Sequence, residues 1–253
     1  MPAASINHTV GIPFIEINSV DSSNNYAVQQ LRSGLPMHGT AYFAHEQTAG
    51  KGQRGKQWHT LPGQNIALSV VLNATALQVS QQFTLSMAIS LATYDLILKY
   101  TEDYTFIKWP NDLYWRDRKT AGILIENIIR GKEWQWAVVG IGINVNQTVF
   151  DASIKNPVSL KQITGRHLDP VTLSKDLCKN IEIRFNQINN KETDRIFVDF
   201  NKRLYKKEEL VKLKKSNSVF DCVIKHVNPS GQLVVLRQGF EQLLNVGDVE
   251  WLI

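Results

Sequence analysis

Apolar residues are grouped in two ways along this chain, as short dense runs and as stripes spaced by three or four. Dense runs at residues 11–17, 40–47 and 65–72 predict strands. After the first, Ser22 or Ser23 stands where a helix N-cap belongs, and a helix is predicted from there to about Arg32. Phe83, Met87, Leu91, Tyr94 and Leu98 form a stripe, so residues 81–99 read as a helix. Strand patterns return at 105–109, 120–129 and 134–145. The last two are joined by Arg130-Gly131-Lys132, a connection short enough to predict an antiparallel hairpin. Beyond Asn146, helices are predicted over 170–189 and 194–205. From about Glu208 there are only short strands, separated by Asn228-Pro229-Ser230-Gly231 and Gly247-Asp248. The expected architecture is α+β: a mixed sheet flanked by helices over residues 1–207, then a small β domain over 208–253.

Composition changes this picture little. With 253 residues, 43% of them hydrophobic, the chain can bury a full core and still form a small second domain. No apolar run reaches the roughly 18 residues of a membrane span, and no basic stretch followed by an apolar one opens the chain, so a soluble cytoplasmic protein is expected. Cys178 and Cys222 form no C-x-x-C pair and sit among apolar residues, which predicts buried thiols rather than a zinc site or disulfide. The net charge of +5 raises the question of nucleic acid. Much of the excess lies in residues 202–207 and 212–215, where lysines alternate with apolar residues as on solvated faces of a helix end and a strand.

The candidate chemistry begins at Gly50-Lys51-Gly52-Gln53-Arg54-Gly55-Lys56-Gln57-Trp58. Its glycines match G-x-G-x-x-G, and residues 50–56 match a P-loop up to its final hydroxyl residue, which here is Gln57. Both motifs require a helix to follow, and residues 58–65 are turn formers instead. A basic glycine loop folding over an anionic ligand is the better reading, with Lys51, Arg54 and Lys56 supplying charge.

With Trp58 behind it, this loop resembles the G-R-G-R-x-G-R-x-W signature of biotin protein ligases. Four more segments agree, in the family's order: Asp21-Ser22-Ser23-Asn24, Lys108-Trp109-Pro110-Asn111-Asp112, Lys119 to Glu126, and Gly140 to Asn146. The resemblance implies a sheet like that of class II aminoacyl-tRNA synthetases and biotin–lipoate ligases, followed by an SH3-like barrel. It implies ATP and biotin as substrates with Mg²⁺, a biotinyl-5′-adenylate, and transfer to a lysine of a biotin carboxyl carrier domain. Ser22, Ser23, Asn24 and Gln47 would hold the ureido ring, with Lys51, Gly52, Gln53, Lys119 and Gly122 completing the biotin site. Arg54, Trp58, Asn111, Gly142, Asn144 and Phe150 would hold nucleotide. Lys119, Lys51 and Arg54 would be catalytic, and Asp112 is a candidate for Mg²⁺.

Each role has a plainer alternative. Ser22-Ser23-Asn24 could only cap a helix, Trp58 could only anchor a loop, Lys119 could be an exposed turn lysine, and Asp112 could be a turn residue. The loop also departs from the family at Lys51, Gln53 and Lys56, where arginine is usual, and Gln53 loses a charge outright. A lipoate or octanoate transferase of the same fold is the nearest rival. Because the Asp21 segment comes so early, a form without the family's N-terminal DNA-binding module is expected, with no specific DNA partner. Monomer and homodimer both remain open.

Overall fold

The computed structural model describes residues 9–152 and 154–252. In chain order the elements are β1 (Phe14–Val20), α1 (Ser23–Arg32), β2 (Ala41–Gln47), β3 (Ile66–Asn73), α2 (Gln82–Thr101), β4 (Thr105–Lys108), β5 (Asp112–Trp115), β6 (Arg118–Arg130) and β7 (Glu133–Ile143). There follow α3 (Leu160–Thr164), α4 (Pro170–Asn189), α5 (Thr193–Lys202) and the strands β8 (Leu210–Lys215), β9 (Ser218–Val227), β10 (Leu233–Arg237), β11 (Phe240–Leu244) and β12 (Glu250–Leu252).

The first seven strands form one mixed sheet in the order β1-β2-β3-β7-β6-β5-β4, with β1 and β2 parallel and the remaining pairs antiparallel. Alternation divides β6 and β7 between its faces. Ile123, Val139, Ile141 and Ile143 are buried in the main core with Leu85, Ile89, Leu96, Leu177 and Ile181 from α2 and α4. Val138 and Val71 face the other way, onto Ala27 of α1. Fully burying each Leu or Ile contributes about 1.5–3 kcal/mol, so the α2–α4 layer supplies most of the driving force. Helix α4 begins as its sequence suggests: Pro170 is its first residue and Asp169 accepts from the Thr172 amide at 3.0 Å. Arg184 then bridges Asp95 of α2 and Asp199 of α5 at 2.9 and 3.1 Å, tying three helices together.

The last five strands form an antiparallel sheet in the order β11-β10-β9-β8-β12. Among the described residues β11 and β12 do not pair with each other, so the sheet is open. It is nailed to the larger layer. Trp109 Nε1 donates to Gly231 O at 2.9 Å, the Asn201 side chain makes two bonds to the Val227 backbone, and Leu213, Ile224 and Val235 belong to the same core as α2. Lys212, Lys214 and Lys215 of β8 are exposed around buried Leu213, as the alternating charge predicted. Cys178 and Cys222 are buried, and burial pushes their thiols up to about 12 and about 11.

Several elements differ from the sequence reading. Strand β1 starts at Phe14 rather than residue 11, because residues 10–13 form a turn closed by the Thr9 carbonyl and the Ile12 amide. The serine cap is not made: Ser22 has the extended backbone of an N-cap, but its side chain makes no capping hydrogen bond. Helix α5 ends at Lys202 instead of 205, since Arg203 O and the Tyr205 amide bond the backbone of Ile107 in β4. Strand β5 and the single turn of α3 were not anticipated.

Candidate active site

On the α1 side of the large sheet lies a cavity of about 1100 Å³, lined by every residue singled out above for a ligand. Its floor is a patch of bare backbone. Gly122 pairs with Gly142, Gly140 with Leu124, and no side chain rises from the three glycines. A Cβ on Gly142 would overlap the Trp58 indole, and one on Gly140 would overlap the Asn24 amide. These glycines are needed for close approach.

At one end the N-terminus of α1 brings uncharged polar groups together. The Ser23 amide donates to Gln47 Oε1 at 2.8 Å, and the Ser23 hydroxyl reaches the same oxygen at 3.1 Å. Asn24 Nδ2 donates to Glu126 Oε2 at 2.8 Å, and Ser69 Oγ lies 2.6 Å from Asn24 Oδ1. Ser22, Ser23, Asn24 and Ser69 are all buried. Their side chains therefore serve the cavity and each other rather than the helix end.

The glycine loop closes on itself between β2 and β3. Gly52 N bonds Lys56 O, Trp58 N bonds Gly50 O, and Lys51 bridges Gln57. No helix follows it, so the phosphate-motif readings fail for the reason the sequence suggested. Arg54 sits at its tip with φ 56° and ψ 42°, left-handed values that strain a residue other than glycine. Its guanidinium packs so closely on Gly247, in the β11–β12 turn, that a Cβ there would fall inside it. Trp58 lies on the glycine floor, with its buried Nε1 unpartnered. Thus Trp58 anchors the loop and walls the cavity at once.

The opposite end is cationic. Lys119 Nζ pairs with Asp112 Oδ1 at 2.7 Å and stands 5.7 Å from the Trp58 ring. It is not the exposed turn lysine of the plainer reading. Its backbone is pinned by the 156–158 segment, and Asn144 Nδ2 reaches both Lys119 O and Val158 O, at 3.3 and 3.2 Å. Asn144 and Asn111, whose Nδ2 donates to Ile123 O at 2.7 Å, spend their amides on backbone while lining the cavity. Phe150 lies on the wall formed by the loop after β7. Lys108 donates to Tyr114 Oη at 3.1 Å and stands 5.4 Å from the Trp251 ring. Burial pushes its ammonium down to about 8, with Lys119, Lys56 and Lys155 adding to the shift and Asp112 opposing it.

Sequence reasoning left several of these residues without a role. Lys108 and Glu126 stood inside quoted motifs unassigned, and Ser69 is the one polar residue among buried Ala67, Leu68, Val70 and Val71. Gly247 was read only as a turn, and Trp251 had no local signal. Among the described residues no cluster of three His, Cys, Asp or Glu is placed to hold a metal, and Asp112 is a single carboxylate already paired with Lys119.

Residues 16–144 match the family model described as the biotin/lipoate A/B protein ligase family. The chain belongs to that family. It is 32% identical over 164 residues to the bifunctional ligase/repressor BirA of Escherichia coli, which is 64% of this chain and 50% of that protein. To the biotin–[acetyl-CoA-carboxylase] ligase of Paracoccus denitrificans it is 36% identical over 159 residues, 59% of this chain and 63% of that one. The chain spans about half the length of the BirA relatives it matches. A biotin protein ligase from Aquifex aeolicus, solved with biotin and ATP, superposes with a TM-score of 0.79 at 25% identity, covering 94% of this chain and 97% of that one. The family resemblance read from the five motifs is thereby confirmed. No helix among the described residues is long and apolar enough to cross a membrane.

Proposed function

We propose that this chain activates biotin with ATP as biotinyl-5′-AMP and transfers the biotinyl group to one lysine of a biotin carboxyl carrier domain. The observation that carries the reading is the polarity of the cavity: a neutral hydrogen-bonding end at Ser23 and Gln47, a cationic end at Lys119 and Lys108, and a side-chain-free floor between them. Gln47 Oε1 is taken by the Ser23 amide, so Nε2 is the end of that amide left for a ligand. A cyclic urea offers both the N–H and the C=O that such a subsite needs, and a dithiolane ring offers neither. A site built from buried polar groups rejects a ligand that leaves them unpaired. This favours biotin over lipoate or octanoate.

In the first step a biotin carboxylate oxygen attacks the α-phosphorus, and the bond to the pyrophosphate oxygen breaks. Lys119 faces the charge that develops there, and Lys51 and Arg54 belong to the loop over it. In the second, the carrier amine attacks the acyl carbon, AMP leaves with the C–O electron pair, and the amine loses a proton. Nucleotide approaches over Gly142 and Trp58, with Asn111, Asn144 and Phe150 around it. Mg²⁺ would come with ATP, held mainly by phosphate oxygens, and would offset phosphate charge; Asp112, which pairs with Lys119, is the carboxylate we assign to it. Residues 208–253 are best taken as a small SH3-like unit that closes one side of the site and packs on the catalytic unit over 1–207.

The test is biotin-dependent exchange of labelled pyrophosphate into ATP, with lipoate and octanoate run alongside. Exchange with biotin alone is expected. Exchange with lipoate and not biotin would overturn the assignment.

A further inference from the structure

An asparagine amide has two ends of almost the same shape, so its partners decide which way it faces. Asn24 is caught between two side chains, with Leu124 O a third and longer partner at 3.4 Å from Nδ2. Glu126 Oε2 stands 2.8 Å from its Nδ2, and Ser69 Oγ stands 2.6 Å from its Oδ1. A carboxylate accepts and does not donate, so Glu126 holds Nδ2 toward itself and Oδ1 toward Ser69. Oδ1 has no hydrogen to give, so it takes the single hydroxyl hydrogen of Ser69. Ser69 Oγ is also 2.8 Å from Ser23 Oγ. The Ser23 hydrogen then turns to Ser69 Oγ or to Gln47 Oε1, both inside the protein. Either way, Ser23 Oγ meets a ligand as an acceptor.

We propose that Glu126 is a positioning residue that sets the hydrogen-bond polarity of the biotin subsite, acting through Asn24 and Ser69 so that Ser23 accepts from a ureido N–H. The inference rests on the biotin reading above. Without the carboxylate, Nδ2 keeps only the longer bond to Leu124 O at 3.4 Å, and Asn24 can flip to present Nδ2 to Ser69. The Ser69 hydrogen would then go to Ser23 Oγ and occupy a lone pair that a ureido N–H would use, while the Ser23 hydrogen stays on Gln47 Oε1. Glu126 sits half-buried on β6, on the face that carries Leu124 and Gly122, and the missing Cβ of Gly140 leaves room for the Asn24 amide between them.

The experiment is pyrophosphate exchange with four proteins besides wild type, each checked by its thermal midpoint. Glu126→Ala should raise the KM for biotin about tenfold or more, the size of one misdirected hydrogen bond, while the KM for ATP and kcat at saturating biotin stay near wild type. Glu126→Gln keeps an acceptor for Asn24 and should recover most of the loss. Asn24→Asp faces one carboxylate with another and should bind biotin poorly. The double variant Asn24→Asp/Glu126→Gln restores a donor and an acceptor and should bind better than Asn24→Asp alone, a non-additivity that a merely structural role does not produce. An unchanged biotin KM in folded Glu126→Ala, or a double variant no better than Asn24→Asp, overturns the proposal. Wild type without biotin-dependent exchange would instead overturn the biotin reading, and this inference with it.

Discussion

Strands β6 and β7 present one face to the core and the other to the cavity, and the two faces use opposite means. Toward the core, Ile123, Val139 and Ile141 fill space with branched side chains that leave almost no exposed surface. Toward the cavity, Gly122, Gly140 and Gly142 remove side chains so that Trp58 and Asn24 can lie on the backbone. Neighbouring residues of one strand therefore have opposite tolerances. Loss of volume harms the first face, and gain of volume harms the second.

The sharpest break of that contrast is a pair of adjacent substitutions. Ile141→Ala should cost about 2–5 kcal/mol of stability by leaving a cavity in the core, with KM values for biotin and ATP close to wild type. Gly142→Val should do the reverse: a side chain where the Trp58 indole lies should abolish exchange while denaturant unfolding shifts much less. An active Gly142→Val protein would show that the bare floor is not required.

Lys119→Ala tests whether the cationic end is chemistry or packing. Removing a cation that acts on developing phosphate charge should raise the barrier to adenylate formation by about 3 kcal/mol, roughly a hundredfold in rate, with the thermal midpoint little moved. Near-normal exchange by the folded variant would remove Lys119 from that role.

The smallest effect concerns Lys108, a charge set against the apolar rule of its surroundings. Burial pushes it down to about 8, whereas in the unfolded chain it stays protonated to its ordinary value near 10.5. Between those pH values the unfolded chain binds more protons, so the contribution of this residue to stability rises with pH across the window and is lost as pH falls through 8. The slope is at most about 1.4 kcal/mol per pH unit. Urea unfolding at pH 8 and pH 9 should show the rise in wild type and a flatter response in Lys108→Met; equal rises in both would rule it out.

What was legible in the sequence was local. The start of α4 was read at Pro170, and the β6–β7 hairpin from two apolar runs with a short connection. Strand β5 was hidden because it opens at Asp112, directly after the turn-forming Pro110-Asn111, and because a bulge beyond Leu113 breaks its register with β6. The serines at the start of α1 misled as a cap because their position is right for one while Ser23 bonds Gln47 and contacts Ser69 from two other strands. Residues inside dense motifs could be grouped from the sequence, and they line one cavity. Those that act across the fold could not be, because Glu126 meets Asn24 about a hundred positions away and Trp251 meets Lys108 from a different sheet. No periodicity or spacing carries such a contact.

Because Arg54 rests on Gly247, two halves of one wall leave the ribosome far apart in time. At about 5–20 residues per second, the glycine loop is out roughly ten to forty seconds before the turn that receives it. In that interval the strands up to β7 and the helices that cover them are all available to pair and bury their apolar face. The chain thus gains a core well before it gains a closed site, and a ligand that arrives during synthesis meets a cavity still lacking one side.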